Sequence, residues 1–406
     1  MTPEIKQRIE QIRRGEVPEG YKRAKLWICP LEWRATTLNE LVDIRQGYTF
    51  KREYQGKSTG YWNYFKVADI GVQNSGRYLI SAINKVDDSL IKKMGCRPFN
   101  AGSIVFPRVG AALLNNNKKI LFQDSIVDDN VLVLSIKNIA DCSNIFLYYL
   151  LTRLKLEDWC NSSLVPVINS KSVLRQIVNM PSITEQQKIA EILTAQDKVI
   201  ELKEKLLNEK QRQKKYLMQQ LLTGKKRLSG FNKVWNTVEL GEIFDYIQPT
   251  AYLVKTTDYN DAYQIPVLTA GKTFILGYTN ESKGVFTNVP VVIFDDFTTA
   301  TKYVDFPFKV KSSAIKILTI KEGFNITFAY EAMQLIKFSV GGHERHWISK
   351  YSCITIDVPE LKEQTAIAEI ISTADREIEL LQKNIEQEKQ KKKALMQLLL
   401  TGIVRV

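Results

Sequence analysis

The most regular hydrophobic pattern in the chain is a stripe of apolar residues near its end. In the segment 359–402 these residues recur at steps of three and four, the spacing of a coiled-coil face. The segment starts at Pro359, contains no internal glycine or proline, and stops at Gly402. The stripe consists of Ile367, Ile370, Ala374, Ile378, Leu381 and Ile385, and resumes at Leu395 and Leu399. The pattern predicts one helix of about 57 Å, from roughly 38 residues at 1.5 Å each.

The same segment occurs a second time, at 181–224. The two copies align without a gap at an offset of 178 residues, and 21 of 44 positions are identical, which indicates an internal duplication. The identities include Glu185/Glu363, Gln186/Gln364, Ile189/Ile367, Glu191/Glu369, Asp197/Asp375 and Glu201/Glu379. Neither helix can bury its stripe alone, so we expect the two to pack antiparallel. The first copy is more polar over 196–210, where Gln196 faces either the partner helix or solvent.

The rest of the chain has the short apolar and alternating runs that are typical of strands. Residues 1–20 are predicted to be an N-terminal helical extension, with its helix at Glu4–Arg14. A first globular domain is predicted at 21–180, the first long helix at 181–224, a second domain at 225–358 and the second helix at 359–406. The expected strands are Tyr64–Ile70, Ser103–Pro107, Ile120–Phe122 and Asn130–Ile136, then Ala262–Thr269, Pro290–Phe294 and Ser313–Thr319. With late helices at Ile145–Leu156 and Phe328–Phe338, both domains are α+β.

The duplication includes the start of each domain. When Trp33 is aligned with Trp235, Leu38 falls on Leu240, Glu40 on Glu242 and Leu41 on Ile243. Beyond this entry the two domains differ almost completely in sequence. Related helices that carry dissimilar domains suggest a rigid scaffold that holds two domains with different binding specificities. Such a scaffold suits DNA, where a rigid spacer can set the separation of two half-sites.

Composition narrows the class of partner. The chain has 406 residues, a formal net charge of +13 and a pI of about 9.3, which makes a polyanion such as nucleic acid plausible. There is no run of 18 apolar residues and no apolar leader at the N-terminus, so a cytoplasmic protein without a membrane segment is expected. Five scattered cysteines without CxxC spacing favour a reducing compartment and argue against a zinc site.

The sequence contains no convincing catalytic constellation. Gly271-Lys272-Thr273 lacks the upstream glycine of a phosphate-binding loop, and His343 and His346 do not have metalloprotease spacing. Asp295 and Asp296 are adjacent on a predicted strand and should point to opposite faces, which disfavours an acid/base pair. Binding and scaffolding therefore rank above catalysis.

Several motifs together resemble the specificity subunit of type I restriction-modification systems. They are Pro-x-x-x-Glu-Gln-x-x-Ile-Ala-Glu-Ile and Leu-Met-Gln-x-Leu-Leu-Thr-Gly in both helices, and the tryptophan-led entry to each domain. The resemblance covers essentially the whole chain. It implies an α+β protein with two α/β target recognition domains, separated by two long conserved helices in an antiparallel coiled coil, with an internal pseudo-twofold repeat.

The resemblance also implies a role and partners. Each recognition domain would read one half of a bipartite site in double-stranded DNA, and the helices would space the halves and dock two modification (methyltransferase) subunits. Two restriction (motor-nuclease) subunits would complete the complex. The chain itself would be a non-catalytic subunit without a cofactor or metal. S-adenosylmethionine is expected in the modification subunits, and ATP and Mg in any restriction subunits.

Candidate DNA-binding residues lie in predicted loops that mix basic, amide and hydroxyl groups. Arginine can pair with guanine and glutamine with adenine in the major groove, whereas most other contacts should be to phosphates. The first domain offers Arg45, Gln46, Tyr48 and Lys51 in a loop after a strand, and Arg108, Asn116 and Lys118 in a second loop. The second domain offers Lys272, Thr273, Thr298, Thr299, Lys302, Lys309, Lys311 and Arg345, with Lys309 and Lys311 on one strand face.

The ends of the two helices are apolar on more than one face. The residues concerned are Leu217, Met218, Leu221 and Leu222, with their twins Leu395, Met396, Leu399 and Leu400. We expect them to bind the modification subunits; the alternative is burial against the neighbouring recognition domain. For the whole chain, the alternatives are an orphan sequence-specific DNA-binding regulator and a coiled-coil adaptor without partners.

Overall fold

The computed structural model of the chain describes residues 2–71, 76–161, 165–269, 273–338 and 346–406. The chain forms two compact units: Met1–Glu204 with Asn384–Val406 (unit 1), and Lys205–Lys383 (unit 2). Each unit therefore contains one globular domain and a part of both long helices. Among the helices in these ranges, none combines the length and apolar character needed to cross a bilayer.

Unit 1 is built from short strands and helices around two sheets. Its helices are α1 (Pro3–Arg13), α2 (Leu38–Leu41), α3 (Val67–Gly71), α4 (Asp88–Met94), α5 (Asn144–Arg153) and α6 (Ser170–Leu174). Its strands are β1 (Tyr21–Arg23), β2 (Ile28–Pro30), β3 (Arg34–Thr37), β4 (Val42–Gln46), β5 (Trp62–Phe65), β6 (Tyr78–Leu79), β7 (Asn84–Val86), β8 (Ile104–Pro107), β9 (Lys119–Leu121), β10 (Ser125–Val127), β11 (Val131–Ile136) and β12 (Ile177–Met180). The sheet orders are β4-β11-β8-β9-β6 and β10-β5-β7, with the pairs β1-β2 and β12-β3.

The two long helices follow the predicted segments closely. They are α7 (Ile183–Leu221) and α10 (Leu361–Leu399), and the chain leaves each through a glycine in the left-handed region, Gly224 at φ 66° and Gly402 at φ 70°. Glycine carries no Cβ and therefore takes this conformation at little cost, which ends the helix.

Unit 2 repeats the arrangement with fewer elements. Its strands are β13 (Asn236–Glu239), β14 (Phe244–Ile247), β15 (Ile265–Leu268), β16 (Ile275–Thr279), β17 (Val291–Asp295), β18 (Thr301–Val304), β19 (Lys309–Val310), β20 (Ile315–Ile320) and β21 (Thr355–Val358). Its short helices are α8 (Leu240–Ile243) and α9 (Ile326–Met333). The sheet orders are β14-β20-β17-β18 and β16-β15-β19, with the pair β13-β21.

The duplication extends through the whole domain, although the sequences between the anchors differ. The order β4-β11-β8-β9 in unit 1 corresponds strand by strand to β14-β20-β17-β18 in unit 2, and all three pairings are antiparallel in both. In the second sheets, β5 and β15 each have one parallel and one antiparallel neighbour. The hairpin β8–β9 is therefore the counterpart of the hairpin β17–β18.

The duplicated residues at each domain entry form the same local structure. Glu40 and Glu242 accept hydrogen bonds from the backbone N–H of Thr37 and Glu239, which caps the short helices α2 and α8. The leucines that begin these helices, Leu38 and Leu240, are fully buried in the cores of their domains.

The repeated Gln186 and Gln364 fasten each long helix to its domain. Both side chains are buried, and their amides bond only to backbone atoms. Gln186 accepts from the N–H of Ser143 at 2.9 Å and donates to the carbonyls of Asp141 and Pro181 at 3.1 and 3.0 Å. Gln364 makes the corresponding bonds to Asn325, Gly323 and Pro359 at 2.8, 3.3 and 2.8 Å. The joint is the same in both units, which accounts for the repeat of this glutamine.

Within each unit the two helix segments run antiparallel, because partner numbers fall along α10 as they rise along α7. In unit 1, Gln196 donates to Glu388 at 2.7 Å and Lys203 pairs with Glu388 at 2.8 Å. In unit 2, Lys210 pairs with Glu377 at 2.7 Å, and the ion pair Lys214–Asp375 at 2.6 Å repeats the pair Lys392–Asp197 of unit 1. Gln196 thus faces the partner helix, one of the two alternatives that its polar position allowed.

The sequence pattern predicted the short elements less accurately than the long helices. The strand expected at Tyr64–Ile70 ends at Phe65 and is followed by helix α3. The turn arises because the Asp69 carboxylate accepts from the Lys66 N–H at 2.7 Å, an interaction that an apolar pattern does not reveal. The strands expected at Ser103–Pro107, Asn130–Ile136, Pro290–Phe294 and Ser313–Thr319 are present within one or two residues.

Candidate nucleic-acid interface

Arg45 and Gln46 lie in strand β4 itself, and not in a loop after a strand as expected. They pair with Val133 and Leu132 of β11, and both side chains are exposed. Neighbouring strand residues point to opposite faces, so these two cannot act as one loop motif. The Arg45 guanidinium lies over the Phe99 ring at 4.7 Å, a cation–π contact that holds it against the domain.

The segment after β4 is fixed tightly at its start. A Cβ on Gly47 would lie 2.2 Å from the Val127 carbonyl oxygen, so this close approach requires glycine. Tyr48 is half-buried; its N–H donates to Val127 at 2.8 Å, and its carbonyl accepts from the Tyr64 hydroxyl. Lys51 is exposed just before a turn of 3₁₀ helix. Of the four candidates here, Arg45, Gln46 and Lys51 are open to a ligand.

The hairpin β8–β9 contains the next three candidates. Half-buried Arg108 directly follows β8, and its backbone is held by Asn130 and Ile168 at 2.8 and 2.9 Å. Asn116 has a positive φ of 52°, and its side-chain oxygen accepts from the Leu156 N–H at 2.9 Å. The hairpin is therefore anchored on the domain beside an accessible arginine.

Lys118 was expected in an open loop, but it is buried and only 3% exposed. Its ammonium donates to the Asn116 side chain at 2.7 Å and the Leu154 carbonyl at 3.0 Å, and lies 5.8 Å from the Trp159 ring centre. Burial lowers the pKa of Lys118 to about 7. The hydrogen bonds offset part of the cost of burial, and the residue anchors the hairpin from inside the domain.

The equivalent hairpin β17–β18 of unit 2 carries three candidates on a turn that folds onto buried Asp295. The Asp295 carboxylate accepts from the Phe297 N–H at 3.0 Å and the Thr298 hydroxyl at 2.7 Å. Thr299 has a positive φ of 57°, which is rare for a β-branched residue, and its N–H donates to the Asp295 carbonyl at 2.9 Å. Lys302 is exposed on β18. Thr298, Thr299 and Lys302 thus lie together on one rigid hairpin.

The other aspartate of this turn is also committed to the fold. Asp296 is buried, its carboxylate accepts from the Trp347 N–H at 2.9 Å, and it lies 3.6 Å from the buried Lys316 ammonium. Because both carboxylates have structural partners, neither is placed to serve as a general acid or base.

Lys309 and Lys311 do not share an open strand face. Lys309 is only 1% exposed; its ammonium pairs with Glu281 at 3.1 Å and donates to the Lys283 carbonyl at 2.6 Å. The expected phosphate contact is therefore wrong for Lys309, because its ammonium is buried and is already bonded to Glu281 and Lys283. Lys311 follows the strand and is exposed, as is Thr273. Lys272 and Arg345 lie outside the described residues.

The apolar helix ends are used mainly inside the units. Leu221 and Leu222 are buried in the core of unit 2, and Leu399 and Leu400 in the core of unit 1. Leu217, Met218, Leu395 and Met396 are half-buried against the same cores. The geometry thus favours the alternative of burial on the recognition domain over an open surface for modification subunits.

The helices do expose other apolar residues. Leu202 in unit 1 and its twin Leu380 in unit 2 are 53% and 65% exposed, and Leu206 and Tyr216 of unit 2 are also exposed. Leu202 and Leu380 are not part of the apolar stripe predicted from the sequence, which could have marked them as surface residues. Within the described ranges, we find no cluster of His, Cys, Asp or Glu suited to a metal ion.

Comparison with known proteins agrees with this architecture. The family model "Type I restriction modification DNA specificity domain" matches residues 30–211 and 232–389. The chain is 52% identical over 140 residues to the Escherichia coli "Type I restriction enzyme EcoR124I/EcoR124II specificity subunit", a match that spans 33% of this chain and 34% of that relative. It is 25% identical to the "Putative type I restriction enzyme MjaX specificity subunit" of Methanocaldococcus jannaschii over 96% of this chain and 97% of that protein.

Solved structures share the fold. A type I restriction-modification S subunit from M. genitalium superposes with a TM-score of 0.59 at 13% identity, covering 90% of this chain and 96% of that one. A chain from a structure titled as the basis of complex assembly and conformational transition of the type I R-M system has a TM-score of 0.52 at 15% identity, covering 93% and 99%. At these identities the likeness concerns the fold alone.

Proposed function

The chain belongs to the type I restriction modification DNA specificity family, and on this basis we propose that it is the DNA-specificity subunit of a type I restriction-modification complex. In this proposal each recognition domain reads one half of a bipartite DNA site. The chain itself performs no catalysis. Two modification subunits that bind S-adenosylmethionine supply adenine methylation, and two restriction subunits that use ATP and Mg supply cleavage. The assembly works in the cytoplasm.

One observation carries the proposal: the two units share one strand order and one helix joint but differ in their hairpins. Corresponding hairpins carry Arg108 in unit 1 and Lys302 in unit 2, and the turns beside these basic residues differ in sequence. Different side chains at equivalent places of one scaffold are what the reading of two unlike half-sites requires. The net charge of +13 supports a DNA partner, because phosphate neutralisation supplies most of the sequence-independent affinity.

The deciding experiment is a genome-wide map of methylated adenine in the source cell, with and without this gene. We expect one bipartite motif to lose methylation when the gene is deleted and to regain it on complementation. An unchanged map, in cells that produce the chain together with its modification subunit, would contradict the proposal. In that case tight binding of the purified chain to a split site would favour an orphan regulator, and no binding at any salt concentration would favour an adaptor.

A further inference from the structure

The two equivalent hairpins share a feature that their sequences do not suggest. In β8–β9 the side chain of Leu114 is 61% exposed, and in β17–β18 the side chain of Phe297 is 41% exposed. Single exposed apolar residues are common on proteins and by themselves need no explanation. Here, however, the exposed apolar residue recurs on corresponding hairpins of two domains whose sequences have diverged.

The backbone beside each of these residues is also unusual. Within the described ranges, Asn116 and Thr299 are the two non-glycine residues with a positive φ, at 52° and 57°. Each follows the exposed apolar residue by two positions: Asn116 follows Leu114, and Thr299 follows Phe297. A left-handed conformation at a threonine is strained and persists only where surrounding contacts impose it. Both hairpins therefore place their apolar residue by means of a constrained turn.

The contacts that impose the turn come from buried charged groups. In unit 1 the Lys118 ammonium, 3% exposed, holds the Asn116 side chain at 2.7 Å. In unit 2 the Asp295 carboxylate, 5% exposed, holds the Phe297 N–H at 3.0 Å and the Thr298 hydroxyl at 2.7 Å. The anchors have opposite charge and unrelated sequence, yet each rigidifies the turn that carries an exposed apolar side chain. Such preorganisation lowers the entropy cost of a later contact.

The residues around Leu114 and Phe297 indicate which chemical group these side chains contact. Arg108 lies at the base of one hairpin and Lys302 on the strand that follows the other turn, so each apolar residue lies on a hairpin that also carries a basic side chain. The apolar group that a base edge presents in the major groove of DNA is the C5-methyl group of thymine. We propose that Leu114 and Phe297 are specificity-determining residues that each contact a thymine methyl group in the half-site of their own domain. This proposal rests on the proposed function and names two residues that carry it.

The test uses the full chain in complex with its modification subunits, on the target duplex found by methylation mapping. Each thymine of the two half-sites is replaced in turn by deoxyuridine, which removes only the methyl group. For the unaltered complex we expect one thymine in each half-site whose replacement weakens binding about fourfold, the effect of losing one buried methyl-sized group. In the Leu114→Ala complex this loss should disappear for one half-site, and in the Phe297→Ala complex for the other.

Controls separate a lost contact from a general defect. Ile139→Ala in unit 1 and Val234→Ala in unit 2 remove apolar residues that are 84% and 87% exposed and lie outside the hairpins, so both should retain the full pattern. Phe297→Leu keeps an apolar side chain and should restore part of the discrimination. Equal deoxyuridine losses in the unaltered and alanine complexes, or no loss at any thymine, would overturn the inference. A complex that binds no bipartite site at all would instead contradict the proposed function.

Discussion

Arg405 binds Glu185 through two parallel hydrogen bonds, from Nε to Oε1 at 2.5 Å and from Nη2 to Oε2 at 3.0 Å. The same fork occurs in unit 2, where Arg227 binds Glu363 through the corresponding atoms at 2.7 Å each. The two glutamates and the two arginines are both 178 residues apart. The segment after α10 therefore makes the same contact in unit 1 that the segment after α7 makes in unit 2.

Loss of the fork in unit 2 should destabilise that unit. In Arg227→Gln the Glu363 carboxylate, 1% exposed, loses its charged partner and keeps a 3.3 Å bond from Trp235. A buried acceptor left partly unpaired costs on the order of 1–3 kcal/mol, and we expect a lower unfolding free energy in urea titrations. Glu363→Gln added to Arg227→Gln should recover part of the loss, because it removes the buried charge. Full additivity of the two substitutions would show that the residues are not coupled.

The Glu281 carboxylate should make unit 2 sensitive to acid. Burial alone would raise its pKa, but hydrogen bonds from the Thr256 N–H, Lys309 and the Lys255 N–H outweigh burial and lower the pKa to about 2. A folded-state pKa below the unfolded value near 4.5 stabilises the protein above that value, and the contribution is lost as the pH falls toward 2. Glu281→Gln should therefore be less stable than the unaltered protein at pH 7.

The measurement for Glu281 is urea unfolding of both proteins between pH 7 and pH 2. The difference between them should shrink through this window as the native carboxylate takes up its proton. A stability difference that stays constant with pH would mean that the pKa of the Glu281 carboxylate is not lowered in the folded protein. Lys255→Ala serves as a control, since Lys255 contributes only its backbone N–H to this site.

Lys118 should add a pH dependence of the same sign in the alkaline range, because its pKa is also lower in the folded chain than in the unfolded chain. Its pKa is about 7 when folded, against an ordinary value of 10.5, so the unfolded chain binds more protons between these values. The unfolding free energy of the unaltered protein should accordingly rise relative to Lys118→Met from pH 7 to 10. The comparison with methionine cancels the titration of other groups. A flat difference would show that the ammonium retains its ordinary pKa in the fold.

The length of α7 should control the spacing of the two half-sites. Four residues inserted after Glu201 lengthen a helix by about 6 Å, close to two base pairs of DNA rise. A matching insertion after Gln387 of α10 keeps partners such as Lys210 and Glu377 in register. We expect methylation mapping to show an unread spacer about two base pairs longer between unchanged half-sites. An unchanged spacer would show that the length of the helices does not set the spacing of the half-sites.

Elements with long-range periodicity could be predicted from the sequence, whereas side-chain placement could not. The repeated stripe of Ile367 and its partners located both helices, because burial of one face demands that spacing. The equivalence of the hairpins β8–β9 and β17–β18 could not be predicted from the sequence, because their residues differ and strand order depends on which strands pair. The alternation pattern also failed at Lys309, whose side chain is held inside the domain by an ion pair with Glu281 in the segment after β16. Leu114 and Phe297 were missed because their significance lies in the positive φ two residues later.

The joint formed by Gln186 and Gln364 has a consequence for how this protein can change over evolutionary time. Each glutamine bonds only to carbonyl oxygens and one backbone N–H group, so these bonds do not depend on which side chains the bonded residues carry. Substitutions of the residues that supply these backbone groups should therefore leave the joint intact. We therefore expect that a recognition domain replaced by another of the same fold can attach through the same joint, so that a change of specificity needs no change at this glutamine.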